Sequence, residues 1–91
     1  MQAEIYTKEN CGYCTRAKVL MEIKGVDFEE IALTTDNREK MIERVEAAAN
    51  LTPRTMPQIF IDGAYIGGHD DLVKWFDAEA AKKLAKVEAG E

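Results

Sequence analysis

The chain has 91 residues, of which 46% are hydrophobic and 32% charged; this indicates a single soluble domain over residues 1–91, with no room for a second core. The net charge of −5 argues against a nucleic-acid partner, because neutralising phosphates requires a basic face. No apolar run approaches the ~18 residues of a membrane span.

The start, Met1-Gln2-Ala3-Glu4, lacks the basic stretch and apolar core of a signal peptide, so the cytoplasm is the expected compartment. Residues 2–7 alternate, with Ala3, Ile5 and Thr7 on one side and Glu4 and Tyr6 on the other, which predicts a strand. Asn10 can cap the helix expected over Gly12–Lys24, whose face carries Ala17, Leu20 and Met21 and which Gly25 stops. Val26–Leu33 reads as a second strand with Val26, Phe28 and Ile31 partly buried. Thr34 and Thr35 make a loop. Asp36 and Glu39 have capping-box spacing ahead of a helix that carries Met41, Ile42, Val45, Ala48 and Ala49 and runs to about Asn50. Thr52-Pro53 ends it. Pro57–Ile61 is a compact apolar strand, Asp62-Gly63 a hairpin turn, and Ala64–Ile66 the returning strand. After Gly67-Gly68, a last helix from about Asp70 carries Leu72, Phe76, Ala80, Leu84 and Val87, with Trp75 adjacent and a tail expected to fray beyond Val87. The order β-α-β-α-β-β-α suggests a parallel pair with a crossover helix, then an antiparallel hairpin.

The only two cysteines, Cys11 and Cys14, sit where the first strand meets the first helix. A separation of three on a first helical turn brings both sulfurs to one side. The unpaired amides and positive dipole end of that turn lower the pKa of the leading cysteine. Cys11 is therefore the candidate nucleophile and Cys14 the resolving thiol, and an acidified Cys11 is also the better leaving group. In a reducing compartment a structural disulfide is disfavoured. A zinc site wants about four ligands, whereas the chain has two Cys and one His. Lys8, Arg16 and Lys18 flank the pair and suggest a local cationic patch that favours thiolate and an anionic thiol substrate. Proline at position 57 is unremarkable at a strand start, and Met56–Pro57 is granted only the small cis fraction of any X–Pro bond. Gly67-Gly68-His69-Asp70-Asp71 reads as a helix entry capped by Asp70 or Asp71, whose fresh amides can receive a carboxylate. His69 reads as exposed, or as contributing its backbone.

Three blocks in order resemble the glutaredoxins. They are Tyr6-Thr7-Lys8 before Cys11-x-Tyr13-Cys14, then Arg54-Thr55-Met56-Pro57-Gln58-Ile59-Phe60-Ile61, then Ile66-Gly67-Gly68-His69-Asp70-Asp71-Leu72. The Thr-Met-Pro-Gln segment and the stretch before it are similar to glutaredoxins of T-even-like bacteriophages. The resemblance implies an α/β thioredoxin-type fold with a four-stranded mixed sheet flanked by three helices. It implies glutathione-dependent reduction of protein disulfides and protein–glutathione mixed disulfides by a monomer, with ribonucleotide reductase as a recipient. Carried over by position, Lys8 and Arg38 would meet the glycine carboxylate of glutathione, with Arg44 the rival of Arg38. Thr55 and Met56, before a Pro57 that the family holds cis, would face the cysteinyl part. His69 by its backbone, with Asp70, would receive the γ-glutamyl end, and Tyr13 would pack beside the sulfur. Two departures matter. Gly12 replaces a common proline, and some non-proline members bind a 2Fe–2S cluster between two protomers with two glutathiones, which is the alternative function. The second is the insertion between Arg38 and Thr55, which includes Glu46-Ala47-Ala48-Ala49-Asn50-Leu51.

Overall fold

Ala3 and Ile5 turn to one side of the first strand and Tyr6 to the other, and all three are buried. A strand buried on both faces has to be central, and this one is. In the computed structural model, which describes the backbone of residues 1–89 and side chains to Leu84, the strands are β1 (Gln2–Thr7), β2 (Asp27–Ala32), β3 (Gln58–Ile61) and β4 (Ala64–Gly67). They form one sheet in the order β2-β1-β3-β4. β1 is parallel to β2 and antiparallel to β3, and β3 is antiparallel to β4. The helices are α1 (Gly12–Ile23), α2 (Arg38–Ala49) and α3 (His69–Ala89). The expected order and mixed sheet are therefore the observed ones.

Ala17 and Met21 of α1 and Leu72 and Phe76 of α3 pack on Ala3, Ile5, Ile59 and Ile61. Met41 and Val45 of α2 pack with Tyr6 and Phe60. Every side chain of β3 is buried, because α1 and α3 cover one face of the sheet and α2 the other; such sandwiching produces continuous apolar strands. At the hairpin, Asp62 and Gly63 both have positive φ, 50° and 83°, the left-handed pair a two-residue turn requires. Asp62 also ties down the start of β1, accepting the Gln2 amide at 2.8 Å.

Several local readings need correction. The N-cap of α2 is Asn37, which makes no side-chain cap bond; Asp36 is not its cap. The Asn37 side chain instead accepts the Thr34 amide at 2.8 Å and donates to Ala32 O at 3.0 Å, so the polar side chain closes the preceding loop. α2 ends because Asn50 takes a left-handed φ of 56°, before Pro53 is reached, and Ala48 is exposed. On α3, Leu72 and Phe76 are buried, but Ala80 and Leu84 continue the stripe in solvent. The helical period persists there with no sheet to receive it. Val87 and the tail beyond it lie outside the residues described in full.

Arg44 fastens α2 to the sheet. Its guanidinium donates to both Glu4 carboxylate oxygens, at 3.0 and 2.8 Å, and to the Tyr6 hydroxyl at 3.1 Å. It also stacks 3.8 Å from the Phe60 ring centre. The hydrogen bonds from Arg44 hold the Glu4 carboxyl below its ordinary pKa against the opposing effect of burial. A carboxyl with a depressed folded pKa contributes stability above its unfolded pKa and loses it as pH falls through the folded value. Glu4→Gln should therefore cost about 1 kcal/mol near neutral pH, a figure for a partly exposed pair. In urea unfolding the gap to wild type should narrow as pH falls below the ordinary glutamate pKa and vanish only below the depressed folded value. A gap independent of pH would assign the loss to packing instead.

Candidate active site

Antiparallel pairing of Tyr6 with Gln58 sets the end of β1 beside the start of β3. Ile59 pairs with Gly67, so the end of β4 arrives at the same edge. Three loops therefore meet there: the Lys8–Cys11 turn, the Leu51–Pro57 segment and the Gly68–Asp71 helix entry.

In the first loop, Asn10 takes a left-handed φ of 54°, which asparagine tolerates better than most residues. Cys11 follows in extended conformation and is itself the N-cap of α1, its sulfur accepting the Cys14 amide at 3.2 Å. Asn10 thus supplies the turn, and the cap lies one residue later than its sequence suggested. Cys11 and Cys14 are joined as a disulfide with Cα atoms 5.3 Å apart. Cys11 is half-buried, whereas Cys14 is 2% exposed. In the dithiol form the same amide would face a Cys11 thiolate and stabilise it, as hydrogen bonding and the helix end do generally. The Met56 carbonyl oxygen stands 3.7 Å from the Cys11 sulfur on the other side and can accept from a protonated thiol.

The expected cationic patch is thinner than the sequence suggested. Lys18 is drawn away to Glu30, 3.1 Å from its carboxylate. The Thr7 hydroxyl, at 2.8 Å, and then Lys18 hold that carboxyl below its ordinary pKa. Arg16 lies over Tyr13, between the two cysteines in sequence, 5.3 Å from its ring centre.

Beside the disulfide runs an open groove of about 540 Å³. Of the residues singled out from sequence, Tyr13, Thr55, Met56, Pro57, His69 and Asp70 line it; Lys8 and Arg38 are exposed and do not. The Met56–Pro57 bond is cis. Arg44, committed to Glu4, is not in the groove lining either. Of the two readings of His69, exposure does not hold: its side chain is only 19% exposed, with Nδ1 3.0 Å from Asp70 Oδ1. Its ring lies 5.7 Å from that of Tyr13.

Arg54, Gln58 and Tyr65 line the groove without a site role in the sequence reading, and Asp71, read there as a helix cap, lines it too. Arg54 contributes a cation to the lining. Gln58 is buried, its amide donating to Thr55 O at 2.8 Å and accepting from the Tyr65 hydroxyl. Burial, and then the charge of Asp71, raise the pKa of Tyr65. Asp71 accepts the Gly68 amide at 3.1 Å, so one of the helix-entry amides expected to receive a ligand carboxylate is already used. The only sequence signal for Gln58 and Tyr65 was a polar residue and a phenol in otherwise apolar strands.

An active-site disulfide at the head of the first helix, beside a cis-proline loop at the same edge of a mixed sheet, defines a thiol–disulfide oxidoreductase of the thioredoxin type. The glutaredoxin family model matches residues 3–66. Glutaredoxin 3 of Escherichia coli is 51% identical over 71 residues, 76% of this chain and 78% of that protein. The crystal structure of glutaredoxin 1 from Francisella tularensis complexed with cacodylate superposes with a TM-score of 0.65 at 33% identity, covering 93% of this chain and 98% of that one. A buckwheat glutaredoxin–glutathione complex gives a TM-score of 0.67 at 28% identity, covering 92% and 76%. The chain belongs to the glutaredoxin family.

A 2Fe–2S cluster shared by two protomers would take Cys11 from each and two glutathiones; here Cys11 is bonded to Cys14 and would first have to be reduced, and among the described residues no three Cys, His, Asp or Glu side chains are grouped to hold a metal within one chain.

Gly67 and Gly12 should respond oppositely to substitution. Gly67 has φ 121°, and a Cβ there would meet Asp71 Cγ at 2.8 Å; a Cβ on Gly12 would meet nothing within 4 Å. Gly67→Ala should cost about 1–3 kcal/mol through backbone strain, while Gly12→Ala should stay within about 1 kcal/mol of wild type. Thermal unfolding of both variants checks this, and equal melting temperatures would contradict the crowding at Gly67.

Proposed function

We propose that the chain is a glutathione-dependent thiol–disulfide oxidoreductase that reduces protein–glutathione mixed disulfides and protein disulfides. The observation that carries the reading is the Cys11 sulfur, capping α1 through the Cys14 amide at 3.2 Å and bonded to the buried Cys14 beside the groove. With a mixed disulfide as substrate, the Cys11 thiolate attacks the glutathione sulfur. The S–S bond breaks, the target leaves as thiolate and takes up a proton, and glutathione stays on Cys11. A second glutathione thiolate then attacks that bound glutathione sulfur, releasing oxidised glutathione and regenerating the Cys11 thiolate. With a protein disulfide, Cys11 forms the mixed disulfide with the target. Cys14 loses its proton and attacks the Cys11 sulfur, which closes the disulfide found here and frees the reduced target. Two glutathiones reopen it.

The groove supports glutathione as the reductant. Tyr13, Thr55, Met56, Pro57, His69 and Asp70 line its walls, and the buckwheat relative is described as a glutathione complex. Of the lining residues, Asp70, beside His69, suits an ammonium, and Arg54 suits a carboxylate. Lys8 and Arg38, outside the lining, are proposed as further carboxylate contacts on the family resemblance. Ribonucleotide reductase as one recipient, the monomeric state and the kinship with T-even-like bacteriophage glutaredoxins are proposed on the same resemblance, and the cytoplasm is proposed as the compartment.

The test is reduction of a glutathionylated peptide by glutathione. Cys14→Ser should keep activity within about tenfold of wild type, and Cys11→Ser should lose at least about a hundredfold, as removal of a nucleophile does. Activity that survives Cys11→Ser, or a reduced wild type that is inert, would overturn the reading.

A further inference from the structure

Gln58 is 4% exposed, and a buried primary amide has to satisfy donors and acceptor at once. Its surroundings fix which end is which. The Thr55 carbonyl can only accept, so the amide nitrogen faces it, at 2.8 Å. The amide oxygen is then left to accept from the Tyr65 hydroxyl. The two bonds run from β4, through β3, to the residue before Met56, whose carbonyl oxygen stands 3.7 Å from the Cys11 sulfur. Tyr65 is an oriented donor: burial and the Asp71 carboxylate both favour its protonated form. The same Asp71 accepts the amide of Gly68, which also lines the groove.

We propose that Gln58 and Tyr65 are positioning residues that hold the Thr55–Met56 backbone at the width and angle that receive the disulfide substrate opposite Cys11. Neither residue touches the reacting sulfurs. Their effect falls on binding of the substrate half lying in the groove and leaves the intrinsic reactivity of Cys11 alone. The inference rests on the reading that this half is glutathione.

The experiment is single-turnover reaction of pre-reduced protein with a glutathionylated peptide, without free glutathione, compared with the same peptide carrying a cysteine in place of glutathione. Tyr65→Phe removes the hydroxyl alone, and Gln58→Met removes both bonds at nearly constant volume. Each should raise the half-saturating concentration of the glutathionylated peptide about fivefold and leave the maximal rate within about twofold, the signature of lost substrate positioning. Because the bonds act in series, the double variant should be no worse than Gln58→Met alone. If Gln58→Met fails to fold, Tyr65→Phe retains the same readout.

Folded variants with lowered melting temperature but an unchanged half-saturating concentration would show a purely structural role and overturn the proposal. Independent, multiplying effects in the double variant would overturn the series connection. A wild type that does not distinguish the two peptides would remove the glutathione reading, and the inference with it. Discrimination by wild type that persists in both single variants defeats the relay alone.

Discussion

The first turn of an α-helix has amides that no residue within the helix can satisfy, and in this chain one of them, at Cys14, ends on the Cys11 sulfur. That contact imposes conditions on its surroundings. It needs Cys11 in extended conformation just outside the helix, which the left-handed turn at Asn10 provides. It needs α1 held against the sheet, which Ala17 and Met21 do with no exposed surface. Cys14 is on the same buried side and is carried into the core, so its sulfur is fixed and that of Cys11 is left at the rim, as the proposed resolving and attacking roles require. The polarity of the helix and the unequal burial of two identical side chains give them different chemistry.

The sheet brings the rest of the site to that rim. A parallel β1–β2 pair requires a crossover, and α1 is that crossover, so the helix start lies over the end of the central strand. Antiparallel β3 begins at the same edge, and β4 returns to it. The cis Met56–Pro57 loop and the start of α3 thus meet Cys11 without any long excursion of the chain. Polar groups inside this frame are paired: among the described residues no buried side-chain nitrogen or oxygen lacks a partner. Gln58 and Tyr65 belong to that set, which makes the groove wall as determinate as the core beneath it.

Features read easily from sequence were those set by short periods. Alternation at residues 2–7, Asp62-Gly63 between two apolar runs, and Met41, Ile42 and Val45 at helical spacing each report a local geometry. Caps were harder, because Asn10 and Asp36 have side chains suited to several turns and only the backbone around them selects one. Pairings across distant segments were out of reach. Nothing near Arg44 in sequence announces Glu4, forty positions away, and nothing near Lys18 announces Glu30. The stripe at Ala80 and Leu84 shows the converse limit, since a period records what a helix could bury and not whether a surface is there to cover it. At the site, Cys11 and Cys14 were legible from spacing and Met56, Pro57 and His69 from family likeness. The side-chain packing of His69 on Tyr13 and the hydrogen bonds of Gln58 required the folded neighbours.

Competition between the two thiols of the reduced protein tests the central asymmetry most directly. Reduced chain would be alkylated with limiting iodoacetamide at about pH 6, well below the ordinary thiol pKa, and the label located by peptide mass mapping. The capping amide and the burial of Cys14 predict label on Cys11 and almost none on Cys14. Equal labelling, or label first on Cys14, would contradict the assignment of Cys11 as the helix-stabilised thiolate.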